Sequence, residues 1–288
     1  MIIREAHNKD FEKVWPLLDH LNNKLPKTKW QQLFVSNFSA PYNFPGYVLE
    51  DDQEIVGFFG TIFSQRTING RQYNFCNTSS WVVNENYRSH SLLLLLKIHK
   101  LKNCIFTNFT PSSVVYPILK KLGYNDLSSE KLLFRPSLAL SSKLKIQSSN
   151  FESILNEDEI QIYNDHKQYN ADFLVALSNE GHCLIVLKKK KYTPAILKKI
   201  AGNVISSHLG EIEFISNPNV FNLHFREILF KSALIFKLTG LTIYKQFLSD
   251  SLIKKGQPFT THRRYLYKGD IAEKSLDTLY SEIFILDI

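Results

Sequence analysis

The stretch from Ser80 to Lys97 constrains the fold of this chain more than any other. It starts as an apolar strand, Trp81-Val82-Val83, crosses a polar turn at 84–87, and reaches Arg88-Ser89-His90-Ser91. The run Leu92–Leu96 continues into a helix expected from near Ser89 to about Lys100. A strand that feeds a helix N-terminus through a small-residue loop makes an anion site. The first helical N–H groups lack internal partners, and the macrodipole adds partial positive charge there. Arg88 contributes a full charge on a planar fork suited to phosphate. The Ser91 hydroxyl can cap the helix or donate to a phosphate.

The neighbouring segments read as alternating strands and helices. Ile2–Ala6 is a short strand, and Asp10 is the expected N-cap of a helix over Phe11–Leu21, with Val14, Leu17, Leu18 and Leu21 at helical spacing. A second helix is expected over Lys29–Phe38. Gly46–Glu50 and Glu54–Phe63 form a hairpin, and the Asn69-Gly70 turn leads into a strand over Tyr73–Val83. A strand at Cys104–Phe109 and a helix at Ser112–Leu122 follow, with Gly123 as the left-handed residue that ends the helix.

Composition narrows the partners. At 288 residues, 44% hydrophobic and 22% charged, the chain is an ordinary globular protein of one large or two average domains. A formal net charge of +8 favours anionic partners: a nucleotide-containing cofactor, a nucleotide sugar, nucleic acid or an anionic membrane surface. Nucleic acid is not favoured, because no helix carries a basic stripe interleaved with aromatics. The block Lys188–Lys191 reads as a solvated strand edge. Cys76, Cys104 and Cys183 match no zinc or disulfide spacing and read as reduced, buried thiols, so no metal site is expected. No signal peptide is visible, Leu92–Leu96 is too short to cross a bilayer, and Ile228–Tyr244 is interrupted by Lys231 and Lys237. A soluble cytoplasmic protein is expected, and the richness in Asn, Lys and Ile points to a bacterial source. No nucleophile elbow, Walker loop or His-Glu-x-x-His motif offers a rival chemistry.

The segment from Val83 to Leu93 resembles the acyl-coenzyme A motif of the GCN5-related N-acetyltransferases, Val-x-Pro-x-Tyr-Arg-x-x-Gly-x-Gly/Ala. Val83, Tyr87 and Arg88 stand in place. Ser91 and Leu93 replace the two small residues that let a backbone approach a pyrophosphate closely. Leu122-Gly123-Tyr124 resembles the family's second motif, an aromatic-rich helix ending in Leu-Gly-Phe, and the element order from Met1 to about Asp126 is the family's order. The resemblance implies a mixed α/β (α+β) fold, a mostly antiparallel sheet flanked by helices, with acetyl-CoA or another acyl-CoA as cofactor.

The resemblance also implies roles. Val82 and Val83 would present backbone to the acyl arm, where their strand splays from its neighbour. Arg88, Ser89, His90, Ser91, Leu92 and Leu93 would hold the pyrophosphate. Asn108 would hold the pantetheine amides, or equally cap the next helix. The tyrosine that protonates the leaving thiolate in many members is replaced by Leu119. Tyr116, followed by Pro117, is the substitute candidate, the other reading being packing against the strand. Ser80, Asn77 and Tyr73 are candidates for the base, a role that a water chain can also fill. Glu85 belongs to the turn.

Beyond a connector at 135–150, the chain resembles a second, degenerate copy of the same fold. Phe173–Leu177 and His182–Leu187 form a hairpin, 194–208 reads as mixed helix or strand, and Gly210–Ser216 is a strand. A long helix over Val220–Thr239, with Asn219 as N-cap, precedes a strand at Leu241–Phe247. The counterpart of the phosphate loop, at 216–220, has no arginine and no pair of small residues, so no cofactor is expected there. The expected domains are 1–134, binding acyl-CoA, and 151–288, the degenerate copy. The tail, Arg263–Tyr267 and Leu276–Leu286, reads as closing strands around a short helix. It resembles the ends of two-domain acyltransferase-like proteins found with bacterial surface-polysaccharide genes.

The implied function is acyl transfer to a small amine acceptor, anionic by the charge argument, such as an amino-sugar nucleotide of surface-polysaccharide synthesis. Two other classes stay open. One is a non-catalytic binding protein on the same scaffold, given Ser91, Leu93 and Leu119. The other is a transferase that takes an acyl or aminoacyl group from a carrier protein or an aminoacyl-tRNA, for which Lys188–Lys191 would matter.

Overall fold

The computed structural model describes residues 1–35, 38–139, 144–192, 207–259 and 263–288. The chain divides into two compact units, Met1–Leu127 with Arg263–Ile288, and Ser128–His262. The first begins with β1 (Ile2–Glu5), α1 (Phe11–Leu21) and α2 (Lys27–Val35), followed by β2 (Gly46–Asp51), β3 (Glu54–Ile68) and β4 (Arg71–Val83). Next come α3 (Ser91–Ile98), β5 (Cys104–Asn108), α4 (Val115–Lys121) and β6 (Asn125–Leu127). The second unit contains β7 (Lys131–Phe134), β8 (Lys145–Gln147), α5 (Glu157–His166), β9 (Asp172–Ser178), β10 (Gly181–Tyr192) and β11 (Ser207–Ile215). It continues with α6 (Pro218–Leu223), α7 (Phe225–Phe236), β12 (Gly240–Tyr244), α8 (Asp250–Ile253) and β13 (Gln257–Phe259). The tail, β14 (Tyr265–Lys268) and α9 (Glu282–Leu286), returns to the first unit.

Each unit is built on one seven-stranded sheet, in the orders β1-β2-β3-β4-β5-β14-β6 and β13-β7-β12-β11-β10-β9-β8. Pairing is antiparallel except between β4 and β5 and between β11 and β12. The fold is thus mixed α/β, with two mostly antiparallel sheets flanked by helices, as the resemblance implied. In the first sheet, alternation along β3 sends Phe58 and Phe59 to opposite faces. Phe59 joins Phe63, Cys76 and Phe106 under Leu94, Leu95 and Ile98 of α3. Phe58 stacks on Phe34 of α2, with ring centroids 5.3 Å apart.

Several local expectations shift. The tail does not close the second unit: β14 inserts between β5 and β6, and Leu276–Leu286 contains a helix instead of strands. β7, read as part of the first domain, pairs with β12 and β13 of the second. Asp10 does not cap α1 through its side chain, because both its oxygens bind the Arg4 guanidinium, at 2.7 and 3.0 Å. That pairing holds the Asp10 carboxyl below its ordinary value despite burial. The long helix of the second unit breaks at His224 into α6 and α7, and its cap is Asn217, whose Oδ1 accepts from the Val220 amide. The Lys188–Lys191 block lies on β10, an interior strand between β9 and β11, and Lys188 is buried. The region read as mixed at 194–208 lies, up to 206, outside the described residues.

The Asn69-Gly70 turn has positive φ at both central residues, +52° and +75°, as a two-residue hairpin of this twist requires. All three cysteines are free, and burial pushes the thiol of Cys104 up to about 11 and that of Cys183 to about 12. Among the described residues, no helix is long and apolar enough to cross a membrane.

Candidate functional site

The site of the first unit arises where two parallel strands part. β4 and β5 pair only over Asn74–Asn77 and Cys104–Thr107. The Thr78 hydroxyl donates to the Thr107 carbonyl and accepts from Asn108 Nδ2, both at 3.1 Å. Beyond this point β4 stays with β3 and bulges: Phe58 faces Val82 and Gly60 faces Ser79, so Ser80 and Trp81 share one partner. Ser80 takes φ +54° to do so. A bulge of this kind bends the strand and turns backbone groups out of the ladder. The indole of Trp81 stacks on Phe59 at 4.8 Å and 7°.

The parting opens a cleft of about 730 Å³. Trp81, Val82 and Val83 line one side, Ser112, Val115 and Ile118 the other, and His20, Glu85, Arg88 and Ser91 also face it. A smaller cavity of about 280 Å³, near Phe34, Tyr42 and Phe44, contains none of the residues expected to function.

The loop between β4 and α3 differs from expectation. Residues Glu85–His90 form a 3₁₀ helix that runs into α3 at Ser91, not near Ser89. The amide of Tyr87 is held by the Asn84 carbonyl and that of Ser91 by the Arg88 carbonyl, so these donors are already used. Without glycine at 91 and 93 the backbone stays right-handed helical, its default for L-residues. Leu92 and Leu93 are exposed, Leu93 at 44%. Arg88 is 72% exposed and meets Glu85 at 3.1 Å, a surface pair that contributes little and gives way easily to a stronger anion. The Ser89 hydroxyl and His90 Nδ1 lie 3.2 Å apart. Tyr87 anchors the loop instead of facing a ligand, its hydroxyl donating to Asp51 at 3.0 Å.

Asn108 is buried at the crotch of the parting strands, with its Oδ1 unpartnered. It does not cap α4, which lies after Val114. Tyr116 turns away from the cleft. Its hydroxyl donates to Asp126 at 2.6 Å, which raises its pKa, and the Arg264 guanidinium sits 4.6 Å from the ring centre. Pro117 falls in the first turn of α4, where a missing N–H costs nothing, so it does not distort the helix toward the cleft. Leu119 is fully buried. Tyr116→Phe is therefore expected to change acetyl-CoA affinity and any acyl-transfer rate less than about twofold, within the range of a lost surface hydrogen bond. Calorimetric titration and steady-state kinetics check this.

One carboxyl at the parting point was not anticipated from the residues. Glu282, on α9, is 2% exposed. Its two oxygens accept from Asn77 Nδ2 and from the Thr110 hydroxyl, each at 2.5 Å. Burial raises its pKa, opposed by these two donors and the Arg263 charge. The available signal was a single acid inside the apolar run Tyr280–Leu286. Among the described residues, no group of His, Cys, Asp and Glu could hold a metal ion.

No protein-family model and no curated protein matches the chain. Its structure is similar to many solved ones, three of which follow. A conserved protein from Enterococcus faecalis shares 12% identity over 92% of this chain and 71% of that one, TM-score 0.57. A GCN5-related N-acetyltransferase from Kribbella flavida shares 11% over 92% and 70%, TM-score 0.56. The GCN5-related glucosamine N-acetyltransferase region of a fungal multi-domain β-N-acetylglucosaminidase shares 12% over 93% of this chain and 38% of that one, TM-score 0.58. With these similarities spanning both sheets, the chain has the fold of the GCN5-related N-acetyltransferases, in a tandem form.

Proposed function

We propose that the chain is an acyl-CoA-dependent N-acyltransferase whose first unit binds acetyl-CoA, or another acyl-CoA, in the cleft between β4 and β5. The observation that carries this reading is the parting of those strands after Asn77 and Thr107, next to a bulge that frees backbone at 80–82. The acyl-pantetheine arm lies against Val82 and Val83, whose backbone groups polarise the thioester carbonyl. The unpartnered Asn108 Oδ1 is an acceptor for a pantetheine amide N–H, and leaving it unmade would cost the desolvation of a buried carbonyl. Arg88, with Ser89, His90 and Ser91, holds the pyrophosphate at the start of α3, exchanging its pairing with Glu85 for phosphate. Leu92 and Leu93 flank it as apolar contact. The acceptor is a small amine, and the net charge of +8 supports an anionic one such as an amino-sugar nucleotide.

Calorimetric titration with acetyl-CoA tests the donor site. Arg88→Glu is expected to weaken binding about 10- to 100-fold, the value of losing charge-assisted phosphate contacts and adding repulsion. Equal affinity in the variant would remove the 88–93 segment from the site. No binding by the wild type would remove the donor itself.

A further inference from the structure

Acyl transfer needs a group to take the proton from the attacking amine, and besides Arg88 the acid–base groups that line the cleft, His20 and Glu85, are both exposed. We infer that Glu282 is the proton acceptor, acting through the Thr110 hydroxyl on an amine that enters between β4 and β5. This inference rests on the donor site proposed above.

Register places the relay. Asn77 and Thr107 are the last paired residues of the two parallel strands. Ser80 lies three residues beyond one, at the bulge, and Thr110 lies three beyond the other, just past the end of β5. Thr110 is exposed while Glu282 is not, so the hydroxyl is the part of the pair that a ligand can reach. The Thr110 hydroxyl already donates to Glu282 Oε1, so toward an incoming amine it acts as an acceptor of N–H. Asn77 is locked: its Oδ1 accepts from the Thr107 hydroxyl at 3.1 Å, so its NH₂ is presented to Glu282 Oε2. Arg263 is the charged group acting on the carboxylate, and Arg66 on β3 is held by Asp277 at 2.7 Å. A desolvated carboxylate is a stronger base than an exposed one, which brings its proton affinity closer to that of the amine intermediate.

The transfer balances without a further reactant. The amine nitrogen attacks the thioester carbonyl carbon and forms the C–N bond. Its surplus proton passes to the Thr110 oxygen as the Thr110 proton moves to Glu282. The C–S bond breaks, the thiolate takes a proton from water, and Glu282 later returns its own to water. Amine and thioester become amide and thiol.

The test uses acetyl-CoA with glucosamine as the probe amine, following CoA thiol release from about pH 5 to about pH 9. Glu282→Gln keeps the shape and is expected to bind acetyl-CoA normally. It should release CoA about 100-fold more slowly or worse, and lose the fall in rate toward acid pH. Glu282→Asp restores part of that limb, and Thr110→Val behaves like Glu282→Gln. Wild-type rate and pH profile in Glu282→Gln would overturn the inference while leaving the donor site standing. Absence of acetyl-CoA binding by the wild type would overturn both. A second measurement needs no acceptor: ¹³C NMR titration of protein labelled at the Glu carboxyls. One signal, missing from Glu282→Gln, should titrate above the ordinary Glu range and shift when acetyl-CoA binds. A Glu282 carboxyl with an ordinary pKa, or one indifferent to acetyl-CoA, would overturn the inference.

Discussion

A chain lacking residues 263–288 is expected to lose cooperative folding of its first unit, and with it acetyl-CoA binding. β14 is paired on both sides, Leu266 and Tyr267 facing Asn108 and Thr107 on β5, and Tyr265 facing Leu127 on β6. Removing it bares the edge of β5 and detaches β6. The same segment buries Leu276, Leu279, Tyr280, Ile283, Phe284, Ile285 and Leu286. At about 1.5–3 kcal/mol per fully buried apolar side chain, that loss exceeds about 10 kcal/mol, comparable with the whole stability of a domain. Urea unfolding measures it, because the m-value scales with the surface exposed. A truncated chain with the full m-value and normal acetyl-CoA affinity would show that the tail is dispensable.

The second large effect is expected at Gly46. It opens β2 opposite Gly60 with φ +152°, a region that side-chain-bearing residues avoid. A Cβ there would stand 2.3 Å from the Phe59 carbonyl oxygen and 2.9 Å from Gly60 Cα. Both obstacles are backbone, so neither can swing aside. Gly46→Ala is expected to cost about 3 kcal/mol or more, combining dihedral strain with the clash. Gly123→Ala is the control: its φ of +82° is equally left-handed, but nothing lies within 4 Å of the new Cβ. That variant should lose only about 1 kcal/mol. Equal urea midpoints for the two would mean that β2 relaxes away from β3.

Much of the first unit was legible because its signals are local. The helix Phe11–Leu21 has the apolar spacing that buries Val14, Leu17 and Leu18, and its bounds agree with α1. The Asn69-Gly70 turn sets the β3–β4 register by itself, because only a few residue types tolerate two left-handed conformations in succession. Gly123 ends α4 for the same reason. The last part of the tail carries an ambiguous signal. A short apolar run such as Ile283–Leu286 suits a buried strand or a buried helix equally, and only its neighbours decide.

The sites divide in the same way. Arg88, Ser91, Val82 and Val83 meet in one cleft because they are close in sequence and share one strand–loop–helix. Tyr116 lies as near in sequence to the second motif, yet a carboxylate ten residues on, Asp126, captures its hydroxyl. Glu282 and Asn77 are 205 positions apart, and no periodicity in either segment announces the other. The chain alone determined the order of elements, the turns and the place where an anion could be held, because each depends on dihedral preferences and spacing within a few residues. Which strand completes each sheet, and which buried carboxyl reaches the parting of β4 and β5, was decided only by tertiary structure. Burial, which shifts the proton affinity of Glu282, is a property of the groups that surround a residue in space.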